Sequence, residues 1–179
     1  VAEDRALPED VPTLATLLSD EGYATFGVVD GAYWISPKFG FARGFDSYHV
    51  MPNYAEFKID SILSLLDDHD QRPFFVFAHL YDVHSDYTDL PYEADPQDIE
   101  AFAGWYDGDF TGCNERGECA SELLLGLVNR RESLPEEDIE YISSLYDAGI
   151  RTLDRKLKKL FDGLEARGLC ENSVILITA

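Results

Sequence analysis

The sequence predicts an α/β fold, a mostly parallel sheet flanked by helices. Two observations carry this. Segments of helical periodicity alternate with short apolar runs, and those runs lack the polar–apolar alternation of a strand with one wet face. Strands covered on both sides are characteristic of parallel sheets, because the connecting helices lie against the faces.

The first element follows Pro8-Glu9-Asp10. Thr13 to Glu21 reads as a short helix with Leu14, Leu17 and Leu18 on one face and Gly22 as its C-terminal stop. Tyr23 to Val29 reads as a strand buried on both faces, ended by Asp30-Gly31. A loop rich in glycine and aromatics follows, from Ser36 to Asp46, in which Gly40 and Gly44 around Phe41-Ala42-Arg43 shape a turn. Tyr54 to Asp67 returns to helical spacing, and Pro73 opens a second strand, Phe74 to His79. Leu80 to about Glu118 reads mostly as loop, and Ala120 to Arg130 as a helix. A long helix follows, marked by Ile142, Leu145, Tyr146, Ile150, Leu153, Leu157, Leu160, Phe161 and Leu164 at spacings of three and four. Ser133 and Glu136 fit a capping box with Pro135 in the first turn, and Gly168 closes the far end. Val174 to Ala179 is expected to be a buried terminal strand whose exit should carry a site.

Charge is the strongest compositional signal. Asp and Glu outnumber Lys and Arg 35 to 14, giving a net charge of −21 spread along the chain. That field disfavours nucleic acid and anionic membrane as partners. A small molecule is the expected partner, and the oligomeric state is left open. No run of 18 apolar residues occurs, so no transmembrane helix is expected. The opening Val-Ala-Glu-Asp-Arg has neither a basic nor an apolar leader region, so no signal peptide is read there. The compartment is left open, with a cytoplasmic location favoured. Lysine is scarce, with five against nine arginines. Such a surface suits a high-salt interior, where screening removes self-repulsion.

Three cysteines are present. Cys113 and Cys119 flank a Gly-containing loop and could close a small disulfide, whereas a zinc site would need four ligands. Cys170, after a helix end, is expected to be a small core residue.

Chemistry concentrates at the exit of the second strand. His79, Asp82, His84 and Asp86 place two histidines and two carboxylates within eight residues at the rim of a parallel sheet. Histidine there could donate to an anionic substrate or protonate a leaving oxygen, with Asp82 or Asp86 orienting it. His84 and His79 are therefore the candidate catalytic residues. His49 and His69 read as surface residues. No Ser-His-Asp order, P-loop or dinucleotide fingerprint occurs.

Several segments taken together resemble the sulfatase family of the alkaline phosphatase superfamily. They are Pro12-Thr13-Leu14-Ala15-Thr16-Leu17-Leu18 through Gly22-Tyr23-Ala24-Thr25, and Phe39-Gly40-Phe41-Ala42-Arg43-Gly44-Phe45-Asp46. Further along come Pro73 to His79 with Tyr81-Asp82-Val83-His84, and Leu145-Tyr146-Asp147-Ala148-Gly149-Ile150. The resemblance implies an alkaline-phosphatase-like fold, incomplete here, with residues 1–179 forming the central part of a single catalytic domain truncated at both ends. It implies a metal-dependent hydrolase of sulfate monoesters, with a formylglycine nucleophile made from a Cys/Ser-x-Pro-x-Arg motif and a divalent cation, usually calcium. The histidine that His84 matches usually contacts the sulfate or the leaving group.

The departures matter as well. None of Cys113, Cys119 or Cys170 begins a Cys/Ser-x-Pro-x-Arg motif, and the early aspartate pair, the late Asp-His-Gly and the Gly-Lys-Trp-His segment near Val28 to Trp34 are absent. Val83 and Asp86 stand where prolines are common. No metal ligand is therefore assigned within the segment, which is expected to be inactive by itself. The alternatives are a phosphomonoesterase, phosphodiesterase or phosphotransferase on the same scaffold, or a non-catalytic binding domain.

The acidic surface generates one prediction. Lowering KCl from about 2 M to about 0.1 M lengthens the screening distance from a few Å to about 10 Å, and should lower the thermal midpoint followed by circular dichroism. A midpoint indifferent to salt would contradict a salt-adapted protein.

Overall fold

The computed structural model describes residues 6–52, 54–68, 72–85, 90–92 and 94–178. The chain divides into two compact units: residues 1–81 with 157–179, and residues 82–156.

The first unit holds the sheet. Helix α1 (Leu14–Asp20) is opened by Thr13, whose hydroxyl accepts from the Thr16 amide while the Thr16 hydroxyl accepts from the Thr13 amide. Its end is a Schellman turn: Gly22 takes positive φ, its N–H reaches the Ser19 carbonyl, and the Tyr23 N–H reaches that of Leu18. Leu14 and Leu17 of this helix are exposed and Ala15 is its buried residue, so the expected leucine face is not its packed face.

Strand β1 (Ala24–Asp30) is buried at all seven positions, as a run apolar on both faces requires. It is the central strand. β2 (Ser47–Met51) and β3 (Phe74–Ala78) lie on either side, both parallel to it, in the order β2-β1-β3. The sequence reading missed β2, whose His49 and Val50 are exposed and which therefore carries neither a buried run nor a clean alternation. Gly27 permits the pairing: a Cβ there would lie 2.3 Å from the ring of Tyr48, its register partner on β2.

Helix α2 (Ala55–Asp68) follows β2 and buries Ala55, Lys58, Ile59, Ile62 and Leu66 along one stripe. Ile62 and Leu66 form a core with Val28, against which Leu160 and Leu164 also pack.

The Phe39–Asp46 segment is structural. Gly40 and Gly44 both take positive φ, as the turn reading expects. A Cβ on Gly44 would lie 2.3 Å from the Thr16 backbone nitrogen, so this turn rests directly on α1. The Arg43 guanidinium donates to the carbonyls of Pro8 and Val11, and Asp46 exchanges hydrogen bonds with Thr25. These contacts cluster at the N-terminal end of β1. About five residues, or roughly 17 Å of strand, separate them from Asp30.

The second unit holds α3 (Pro96–Ala103), α4 (Ala120–Arg130) and the first part of α5 (Glu136–Ala166), whose remainder belongs to the first unit. Helix α3 interrupts a stretch expected to be loop. Pro96 opens it, and Asp98 is held by the Thr152 hydroxyl at 2.6 Å and by Arg155. Cys113 and Cys119 are joined by a disulfide, which settles the open question of that pair. Helix α5 ends as expected, in a second Schellman turn built on Gly168.

Two further expectations fail. Cys170 is exposed, in a single 3-10 turn from Cys170 to Asn172, and is no core residue. Ser173 to Thr178 forms no strand; Val174 and Leu176 are 88% and 87% exposed, and Ala179 lies outside the described residues. A β-prone apolar run becomes a strand only beside a partner that takes its hydrogen bonds, and none of the three described strands pairs with this run.

Candidate functional site

In a parallel sheet the crevice lies beyond the carboxyl ends of the strands. Here Asp30 is the last residue of β1, His79 follows the last residue of β3, and Met51, opposite Asp30 in register, ends β2. The His79 amide donates to the Val28 carbonyl at 3.0 Å, which carries the β1–β3 pairing one residue past the strand and sets the histidine beside Asp30. The His79 Nδ1 lies 2.9 Å from Asp30 Oδ2.

Lys58 completes the group from the first turns of α2. Its Nζ lies 4.0 Å from Asp30 Oδ2 and donates to the Pro52 carbonyl at 3.0 Å. The side chains of Lys58 and Asp30 are fully buried, while that of His79 is 34% exposed. The Ala32 amide donates to Asp30 Oδ1 at 3.1 Å, closing an Asx-type turn at the strand exit. Nearby, Tyr48 donates to the Ile35 carbonyl at 2.8 Å, and its phenol is pushed above the ordinary range by burial and then by the negative charge of Asp30.

Sequence reasoning singled out His79, took Asp30 only as the residue at the exit of the first strand, and missed Lys58. Lys58 carried a legible signal, since it stands at the apolar spacing of α2 between Ala55 and Ile62. A lysine on such a stripe must bring a partner inside with it.

His84 belongs to the other unit and is exposed, on the bend that follows Asp82. Asp82 is buried and pairs with Lys156 at 3.5 Å. Asp86 and His69 lie outside the described residues. His49 is exposed on β2, as a surface residue should be.

The second unit has a further polar cluster. Arg155 binds Asp95 at 2.7 Å and also Asp98, and the Thr152 hydroxyl accepts from the Asp95 amide. Burial pushes the Asp98 carboxyl up, but hydrogen bonds from Thr152 and Arg155 and the arginine charges outweigh it, leaving it below the usual carboxylate range. These groups satisfy one another and tie α3 to α5, as a structural clasp would.

The described residues do not fit a divalent cation. Among them no three His, Cys, Asp or Glu side chains come together to hold one, and the Asp30 carboxylate already faces the Lys58 ammonium. No helix among the described residues is long and apolar enough to cross a membrane.

The Sulfatase family model matches residues 2–179. The chain belongs to the sulfatase family. None of the curated proteins matches this sulfatase-family chain. Among solved structures it resembles the C-terminal periplasmic domain of EcEptC from Escherichia coli in complex with Zn, with a TM-score of 0.54 and 16% identity. The likeness covers 87% of this chain and 39% of that one, and it shows a shared fold of the alkaline-phosphatase type. The chain thus spans about 39% of that structure's length.

Proposed function

We propose that the protein carrying this chain is a metal-dependent hydrolase of sulfate monoesters that works through a formylglycine nucleophile. The observation that carries the reading is the family match over residues 2–179. A histidine in the loop that follows β3 is in keeping with it. Ester cleavage builds negative charge on the leaving oxygen, and a histidine that donates a hydrogen bond or a proton there lowers the barrier. His84 takes this part, touching the sulfate or the leaving group. Calcium is the ion this reading expects, and no described side chain is assigned to it.

A separate feature bears on the working compartment. The Cys113–Cys119 disulfide supports an oxidising location over the cytoplasm, because thiols in the reducing cytosol rarely stay bridged. Alkylation of the unreduced protein from its native cells, followed by peptide mapping, should find Cys113 and Cys119 in one disulfide-linked peptide and Cys170 alkylated. Alkylation of Cys113 and Cys119 would place it in a reducing compartment.

The activity is tested on the full-length protein with calcium and paired aryl sulfate and aryl phosphate substrates. Sulfate cleavage should dominate, and His84→Ala should lower kcat/KM by about 100-fold, the lower range for general acid catalysis. Preference for phosphate would move the protein to the phosphoesterases or phosphotransferases, and no turnover of either would make it a binding domain. A His84→Ala variant within about threefold of wild type, less than about 1 kcal/mol of transition-state stabilisation, would remove His84 from the chemistry.

A further inference from the structure

We propose that Asp30 is the positioning residue for His79, holding its Nδ1–H inward so that Nε2 faces a ligand at the carboxyl end of the sheet as a proton acceptor. The proposal rests on the sulfatase reading for the identity of the ligand, an ester with its attacking or departing oxygen, and on geometry alone for the state of the ring.

An ionised carboxylate accepts hydrogen bonds and has none to give. With Asp30 Oδ2 2.9 Å from Nδ1, the proton between them belongs to the ring nitrogen, so a neutral His79 must carry its lone pair on Nε2. The carboxylate is itself fixed on two sides. The Ala32 amide donates to Oδ1, and the Lys58 ammonium stands 4.0 Å from Oδ2. Lys58 is in turn held by the Pro52 carbonyl.

Burial then decides which member can meet a ligand. The side chains of Asp30 and Lys58 have no exposed surface, whereas one third of that of His79 remains open. A ligand in the crevice meets the imidazole and never the carboxylate, so any influence of Asp30 on chemistry passes through the ring. When Nε2 takes a proton from an attacking hydroxyl, the ring becomes an imidazolium whose positive charge sits against a buried carboxylate, and releasing that proton to water restores the neutral ring. No net proton is gained or lost.

A structural ion pair would look the same in a static picture, so the test must read the ring itself. Long-range 1H–15N correlation spectra of the wild-type full-length protein, at a pH where His79 is neutral, should show Nδ1 protonated and Nε2 bare. A protonated Nε2 with a bare Nδ1 would overturn the proposal, whatever ester the enzyme cleaves. Kinetics supply the second arm on whichever ester proves active. Asp30→Asn should lower kcat/KM at least tenfold when His79 is present and less than twofold in a His79→Gln background. Equal losses in both backgrounds would mean that Asp30 only supports the fold. The spectrum needs no substrate, so its failure is distinct from failure of the sulfatase reading.

Discussion

The buried pairing of Asp30 with Lys58 constrains everything at the carboxyl end of the sheet. Taking two charges out of water costs several kcal/mol per ion even after relaxation, and only close mutual approach with added hydrogen bonds offsets it. The chain provides those bonds from four places: the β1 exit through Ala32, the end of β2 through Pro52, α2 through Lys58 itself, and the β3 exit through His79. Moving any of these segments would strand a charge. The ends of all three strands are thereby held in one arrangement, and the partly open imidazole sits where a parallel sheet binds its ligands.

The opposite end of β1 has a different task. Gly44, Arg43 and Asp46 belong to a segment that carries much of the resemblance to the sulfatases, yet they bond to α1 and to the start of the strand. Thr13 donates to the Arg43 carbonyl at 3.1 Å and Thr25 to that of Gly44 at 2.8 Å, so the turn locks α1 onto the sheet. The arginine guanidinium is engaged with backbone carbonyls. Family likeness in this region therefore reports scaffold. What the scaffold positions is found at the other end, where His79, itself within the resembling segments, meets Asp30 and Lys58, which lie outside them.

Much of the fold was legible because its physics is local. The continuous apolar run of β1, the glycine stops after α1 and α5, and the three-and-four spacing of α5 each announce themselves within a few residues. What was missed or misread depends on partners distant in sequence. Strand β2 became a strand because β1 offered it an edge, with Gly27 leaving room for Tyr48. Helix α3 is short and starts at a proline, and it is held by Thr152 and Arg155 more than 50 residues away. The run from Val174 has strand composition and no strand partner among the described residues. At the site, the position of His79 could be read from the sheet rule, while the link to Asp30, 49 residues earlier, could not.

The arrangement of the sheet's carboxyl end rests on Asp30 and Lys58 acting as one buried unit. The most direct measurement is a double-mutant cycle in unfolding free energy with Asp30→Asn, Lys58→Met and the two combined. Each single change should cost about 3–5 kcal/mol, because it takes away the charge that the buried partner faces across this pair. The double variant, which buries neither charge, should lose less than either single one. If the two losses simply add, Asp30 and Lys58 do not depend on each other, and the organising role given to their pairing is wrong.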